Sequence, residues 1–342
     1  MKAINFYAPG DIRYEDVPTP SIKDDEILVK VECALTCGTD LKTYKRGHPV
    51  LIPKTPALFG HEFAGIVSRV GNKITQFMPG MRVVSANSAP CLNCYYCQIG
   101  HYNLCENIKL LNGAYAEYIK IPAEIVRQNT LVIPASIPFE HAALVEPLAC
   151  VIHGIEKSDI RVGDYVGIVG AGPIGLMLLR LAKLKGAKVI MVGRNDYKLA
   201  IAQELGADEI ININNVNDPV AAVKNLTPYK QGVDVAIEAV GMPQVWEKAI
   251  LVTRKGGLVN FFGGCENGSC VKIDTFQIHY QEKHLIGVFH HTPQYVSQAL
   301  KIISEGLIKP ELFITHSMPL EELKTAFQLI EERKALKIAV IP

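Results

Sequence analysis

A chain of 342 residues, 49% hydrophobic and 20% charged, has the length of about two domains and the apolar content for a sizeable core. Its 35 Lys and Arg against 34 Asp and Glu leave a formal charge of +1, which argues against a basic surface for nucleic acid or anionic membrane. No run of about 18 apolar residues suits a membrane span, and the first residues lack an apolar stretch long enough for a secretory signal, so a cytoplasmic α/β enzyme is the expectation.

The first third reads as short strands, at Ile27–Glu32, Phe63–Val70 and Met81–Ser85, with turns such as Gly71-Asn72 and Pro79-Gly80 between them. Next comes a cluster of four of the nine cysteines: Cys91, Cys94, Cys97 and Cys105, spaced C-x2-C-x2-C-x7-C. Four thiolates at about 2.3 Å fit the tetrahedron of Zn²⁺, and two-residue gaps let tight turns bring successive sulfurs to one ion. An iron–sulfur cluster is the chemical rival, but its bacterial signature has a different last gap and a following Pro, where this chain has Glu106. Four bound sulfurs leave no open position, so this ion would staple a lobe over about residues 88–108 and do no chemistry. Cys33, Cys150, Cys265 and Cys270 read as ordinary core or loop residues. An odd cysteine count in a chain expected to be cytoplasmic argues against a disulfide framework.

A helical stretch, Pro138–Ile155, links the first third to a region of different character. From Tyr165, strands at 165–170, 188–193, 209–213, 233–240, 257–264 and 284–289 alternate with helices such as Ile174–Lys185 and Asp196–Leu205, which predicts a doubly wound parallel sheet. The chain closes with a helix over Gln294–Glu305, a strand near Phe313–His316, a helix over Leu320–Arg333 and a terminal strand. Gly170-Ala171-Gly172-Pro173-Ile174-Gly175 is G-x-G-x-x-G directly after a strand and opening a helix, the context that marks dinucleotide binding. Here Gly170 makes the turn, Gly172 admits the pyrophosphate, Gly175 lets helix pack on strand, and Pro173 and Ile174 begin the helix whose N–H groups face the phosphates. The next strand ends in Gly193-Arg194 instead of an acidic residue, which favours NADP(H) over NAD(H). Asp196 is the complication: it is either a first-turn carboxylate behind an Asn195 cap or a ribose ligand that would support NAD.

Gly60-His61-Glu62-Phe63-Ala64-Gly65 with Gly71, Cys37-Gly38-Thr39-Asp40, the four-cysteine lobe and the glycine turn fall in one order along nearly the whole chain. Together they resemble the zinc-containing medium-chain dehydrogenase/reductases, the alcohol dehydrogenase superfamily. Val145-Glu146-Pro147, where the classical branch has a cysteine ligand, and the C-G-T-D stretch point to the polyol (sorbitol) and threonine dehydrogenase branch. The resemblance implies a GroES-like β-rich catalytic domain over 1–148 and 290–342 and a Rossmann domain over 149–289. It also implies a catalytic Zn²⁺ on Cys37 and His61 with the carboxylates Glu62 and Glu146 close by, either of which could be the ligand. One sulfur, one nitrogen and one oxygen donor leave an open position, as a catalytic zinc requires. With the structural ion this makes about two zinc per chain.

The same resemblance implies hydride transfer between a secondary alcohol and the nicotinamide, with the ketone as the reverse substrate. Thr39 stands where the family takes the substrate proton, and Lys42 stands where many members place a relay histidine. Tyr44, His48, Phe59, Tyr115, His290 and His291 are pocket candidates by family position, and the polarity of the set favours a polyol, sugar alcohol or cyclitol. L-threonine and simple secondary alcohols are the alternative substrates, a non-catalytic nucleotide-binding protein is the alternative class, and a homotetramer or homodimer is the implied assembly.

Overall fold

The computed structural model describes Met1–Pro342 and divides into two compact units, Met1–Ala149 with His291–Pro342, and Cys150–His290. The chain passes from the first to the second within the helix Val145–Lys157.

The first unit is built on a seven-stranded sheet. Its path runs Thr130–Val132, Arg82–Ser85, Glu62–Val70, Ile27–Leu35, Lys337–Ile341 and Ile314–Pro319, with Tyr118–Ile121 also pairing with Ile27–Leu35. The central strand Ile27–Leu35 is almost wholly buried because Ile, Leu, Val, Cys and Ala fill nearly every position on both faces. Its antiparallel register sets Leu35 against Glu62 and against Ala339. Three segments far apart in sequence therefore meet at one end of the sheet: the chain entering the helix Gly38–Arg46, the start of Glu62–Val70, and the start of Lys337–Ile341. Beneath them Phe59, Tyr115 and Phe327 pack with ring centroids 5.6 to 6.4 Å apart, all tilted edge to face.

The second unit is a six-stranded sheet, parallel throughout, with helices between its strands. Counted along the chain, its strands lie in the order third, second, first, fourth, fifth, sixth, the arrangement of dinucleotide-binding sheets. The first strand, Tyr165–Val169, is central, and its inner residues Val166, Gly167 and Ile168 are buried. Trp246 stacks on Phe261 at 4.1 Å and closes one side of this core.

The helical stretch Pro138–Ile155 is made of two helices: Phe139–Ala142, and Val145–Lys157 with Pro147 in its first turn, where a proline costs no helical hydrogen bond. The helix read over Leu320–Arg333 opens as a 3₁₀ turn, Leu320–Glu322, and continues as Leu323–Glu331.

Candidate active site

Cys37 is the N-cap of Gly38–Arg46, and its Sγ accepts from the Thr39 backbone N–H at 3.5 Å. His61 lies one residue before the strand that pairs with Ile27–Leu35, and Glu62 is that strand's first residue. The register thus brings Cys37, His61 and Glu62 together, with one ligand atom from each within 4.8 Å of the others. His61 and Glu62 are buried, at 6% and 0% exposure. Glu62 Oε1 is sealed from solvent and accepts no hydrogen bond. A thiolate, an imidazole and a carboxylate oxygen lacking a partner suit a zinc ion at about 2.0–2.3 Å from each.

The surroundings hold these groups in place. The Nδ1 of His61 donates to Asp40 Oδ1 at 2.8 Å, which leaves Nε2 for a metal. Burial disfavours a charged His61 ring, but Asp40 and Cys37 outweigh it and raise its pKa well above the ordinary value. Glu62 is held by an ion pair between its Oε2 and Lys337 Nζ, a lysine whose side chain is 4% exposed. Burial pushes the Glu62 carboxyl up, with Lys337 and His61 opposing it. Glu146 is buried as well; burial pushes its carboxyl up to about 7, His61 draws it down and Glu62 pushes it up. Its Oε1 lies 3.8 Å from Nε2 of His291, which in turn meets Asn87 Oδ1 at 3.0 Å.

Two of these partners, Asp40 and Lys337, had no role at the level of sequence. Asp40 stood in the C-G-T-D stretch as a motif residue only. Lys337 was one charge in an apolar terminal strand, and a lone lysine among Leu, Ile, Ala and Val is the signal that could have found it. Tyr115 and Phe59, pocket candidates by resemblance, are sealed in the core at 0% and 1% exposure. The Tyr115 hydroxyl donates to Asp40 Oδ2 at 2.6 Å and lies 3.1 Å from Leu35 O. Tyr115→Phe removes one oxygen and leaves Asp40 Oδ2 buried without its donor. Zinc is expected to leave the Cys37–His61 site for a chelator about tenfold faster, measured by metal-release kinetics. An unchanged rate would assign Tyr115 to packing alone.

The remaining candidates are spread out. Thr39 is half-buried, two residues beyond Cys37, and its carbonyl accepts from Thr43 Oγ1 at 2.8 Å. Lys42 is exposed. Tyr44 stacks on Phe327 at 5.6 Å, and His48 Nδ1 accepts from the Leu51 backbone N–H at 3.2 Å. His290 belongs to the second unit, where its carbonyl accepts from His153 Nδ1 at 2.8 Å, while the buried His291 belongs to the first.

In the lobe Cys91, Cys94, Cys97 and Cys105 bring four sulfurs within 4.8 Å of one another. Thiolates on a zinc tetrahedron stand about 3.8 Å apart, and Cys94 Sγ is 3.9 Å from Cys105 Sγ. The Asn93 backbone N–H, with that of Cys94, draws the Cys91 thiol down to about 6, while burial pushes Cys97 up to about 12. The four could hold one closed-shell ion.

In the second unit the glycine turn is tight. Gly170 has φ +114°, and a side chain at Gly175 would put its Cβ 1.8 Å from Gly170 O. A Cβ at Gly172, by contrast, would meet nothing within 4 Å, and Gly172 caps the helix Pro173–Leu184 with Pro173 and Ile174 in its first turn. Free N–H groups at that end suit an anion. At the end of the next strand, Lys188–Gly193, Arg194 is exposed. Asn195 caps the following helix through Lys198 N, and Asp196 Oδ1 accepts from Asn212 Nδ2 at 2.6 Å.

A nucleotide-type parallel sheet in one unit and a sulfur–nitrogen–oxygen donor cluster in the other point to a class of two-domain dehydrogenases. Comparison with known proteins agrees. Residues 23–134 match the alcohol dehydrogenase GroES-like domain, and residues 173–305 match the zinc-binding dehydrogenase family. A sorbitol dehydrogenase of Bombyx mori is 34% identical over 98% of this chain and 97% of its own length. An L-threonine 3-dehydrogenase of Bacillus velezensis is 32% identical over 96% of this chain and 94% of its own length. Among solved structures, a protein of Sinorhizobium meliloti 1021 described as a zinc-binding dehydrogenase bound to NADP is similar with a TM-score of 0.91 and 32% identity, covering 100% of this chain and 99% of that one. The chain belongs to the zinc-binding dehydrogenases of the alcohol dehydrogenase family. It is an oxidoreductase, and no helix in it is long and apolar enough to cross a membrane.

Proposed function

We propose that this chain interconverts a secondary alcohol of a polyol, sugar alcohol or cyclitol and its ketone, with zinc at Cys37, His61 and Glu62 and with NADP(H) as hydride carrier. The observation that carries the reading is the convergence of those three donors within 4.8 Å, with Glu62 Oε1 buried and lacking a hydrogen-bond partner. When bound, zinc supplies a Lewis acid that lowers the pKa of the substrate hydroxyl, and the dinucleotide supplies a hydride acceptor at nicotinamide C4.

The chain's own part is binding, orientation and proton handling. Cys37, His61 and Glu62 provide three ligands and so leave a fourth position for the substrate oxygen. Asp40 fixes the His61 tautomer and ring orientation. Glu146, buried nearby, is the second carboxylate at the site, and Thr39 takes the substrate proton. Gly170, Gly172 and Gly175 shape the pyrophosphate turn, and the four lobe cysteines hold a structural zinc. The substrate class draws on the sorbitol dehydrogenase relative.

Three features favour NADP(H): Gly193 ends its strand without an acid, Arg194 is exposed beside it, and the Asp196 carboxylate is already engaged by Asn212. A charge-assisted contact from Arg194 to the 2′-phosphate is worth about 1.5–3 kcal/mol, so Arg194→Ala is expected to raise the KM for NADP by about tenfold or more and to leave that for NAD unchanged. Turnover of sorbitol, other polyols, a cyclitol, L-threonine and 2-butanol with both cofactors tests the whole reading. Polyols with NADP are expected to give the highest kcat/KM. Turnover of threonine alone would make the chain an L-threonine 3-dehydrogenase, and equal or better use of NAD would overturn the cofactor assignment.

A further inference from the structure

The buried Lys337–Glu62 pair lies where three distant segments meet. Extending the antiparallel register from Ala339 opposite Leu35 puts Ile338 opposite Thr36 and Lys337 opposite Cys37. One backbone bond continues that pairing, Thr36 N donating to Ile338 O at 3.0 Å, and Ile338 N donates to the Thr36 side-chain Oγ1 at 2.8 Å. The Lys337 ammonium donates to Glu62 Oε2 and, at 3.0 Å, to Thr36 O, the carbonyl just before Cys37. It is therefore anchored on two sides and cannot follow Glu62 if the carboxylate turns. Glu62 Oε1, the oxygen that Lys337 does not hold, is the atom without a partner.

We propose that Lys337 is a positioning residue for the metal site: by holding Glu62 Oε2 it lets the carboxylate offer only Oε1 to the ion, and so keeps a coordination position open for substrate. The inference rests on the zinc site proposed above. A carboxylate can grip a cation through one oxygen or both. Without the ammonium, Glu62 would turn both oxygens and its undivided charge toward the dication, filling the position that the substrate hydroxyl needs. A buried lysine that merely held the strands together would act in the opposite sense, since its loss would loosen the ligands and weaken the metal.

The test uses the zinc-loaded full chain. In Lys337→Met, release of zinc from the Cys37–His61 site to a chelator is expected to be about tenfold slower, as one extra carboxylate contact raises the release barrier, while kcat falls and the KM for the alcohol rises. In a Glu62→Gln background the same substitution is expected to change zinc release by less than about twofold, because the group it acts through is gone. Faster release in Lys337→Met, or an equal effect in both backgrounds, overturns the proposal. Lys337→Gln, which can still donate to Glu62 but carries no charge, is expected to slow release by less than the methionine variant. A crystal structure of the zinc-loaded wild type needs no variant. One Glu62 oxygen on the ion and the other on Lys337 is the expected result, and both oxygens on the ion overturns it. The zinc content of the wild type reports separately on the underlying reading: if the Cys37–His61 site takes no zinc, the proposed function and this inference fall together, before Lys337 is altered.

Discussion

His61→Ala is expected to abolish turnover while leaving the chain folded and able to bind nucleotide. The substitution removes the only nitrogen donor among three ligands and leaves Cys37 and Glu62, with Glu62 still held by Lys337. Two protein ligands hold zinc poorly, so metal content is expected to fall from about two ions per chain to about one. A Lewis acid at a reacting oxygen is worth several kcal/mol, and each 1.36 kcal/mol is tenfold in rate, so kcat/KM is expected to fall by at least about 10³-fold. Asp40 loses one partner but keeps the Tyr115 hydroxyl at 2.6 Å, which limits the structural damage. The glycine turn belongs to the other unit, so NADPH fluorescence should titrate as in the wild type. Elemental analysis after gel filtration, beside steady-state kinetics, checks both halves. Retention of about two zinc with kcat within about tenfold of wild type would remove His61 from the metal site.

Parts of this site were legible in the sequence because their members are neighbours along the chain. The four cysteines fall within 15 residues, and the glycine turn is a single strand–helix junction, so spacing alone carried the chemistry. Cys37 and His61 stand apart in sequence, and it was the family resemblance that paired them. Neither route reaches partners set by strand register. Lys337 is 275 residues from Glu62, and nothing local announces that the last strand lies antiparallel to Ile27–Leu35 with Lys337 level with Cys37. Tyr115, a pocket candidate by resemblance, is a different case. An aromatic residue looks the same in a pocket wall and in a core, and only the contacts with Asp40, Phe59 and Phe327 separate the two. Asp196 shows the converse. The sequence left both of its readings open, and an asparagine 16 residues later engages its carboxylate.

Cys97→Ser is expected to do the reverse of His61→Ala: stability goes first and chemistry follows. The four-cysteine lobe has little core of its own. Leu92, Tyr95, Ile99 and Leu104 are 45–65% exposed, while the buried residues of its short helical turns are chiefly the sulfur donors Cys97 at 4% and Cys105 at 7%. A closed tetrahedral ion would then replace the missing hydrophobic centre. Metal binding contributes about 10–16 kcal/mol to the folding of isolated zinc modules, so losing one of four ligands should cost a large share of the lobe's stability. A serine hydroxyl at position 97 does not replace the thiolate, because it stays protonated at neutral pH and binds zinc weakly. Zinc content should fall to about one per chain, and the melting temperature by more than about 10 °C. Freshly purified Cys97→Ser should still turn over substrate, with activity decaying during incubation as the lobe opens. The pair of variants therefore separates the two ions: His61→Ala loses the reaction with the smaller fall in melting temperature, and Cys97→Ser keeps the reaction at first with the larger fall. A Cys97→Ser protein that melts within about 2 °C of wild type would show that the lobe is held by packing and that its four sulfurs carry no structural metal.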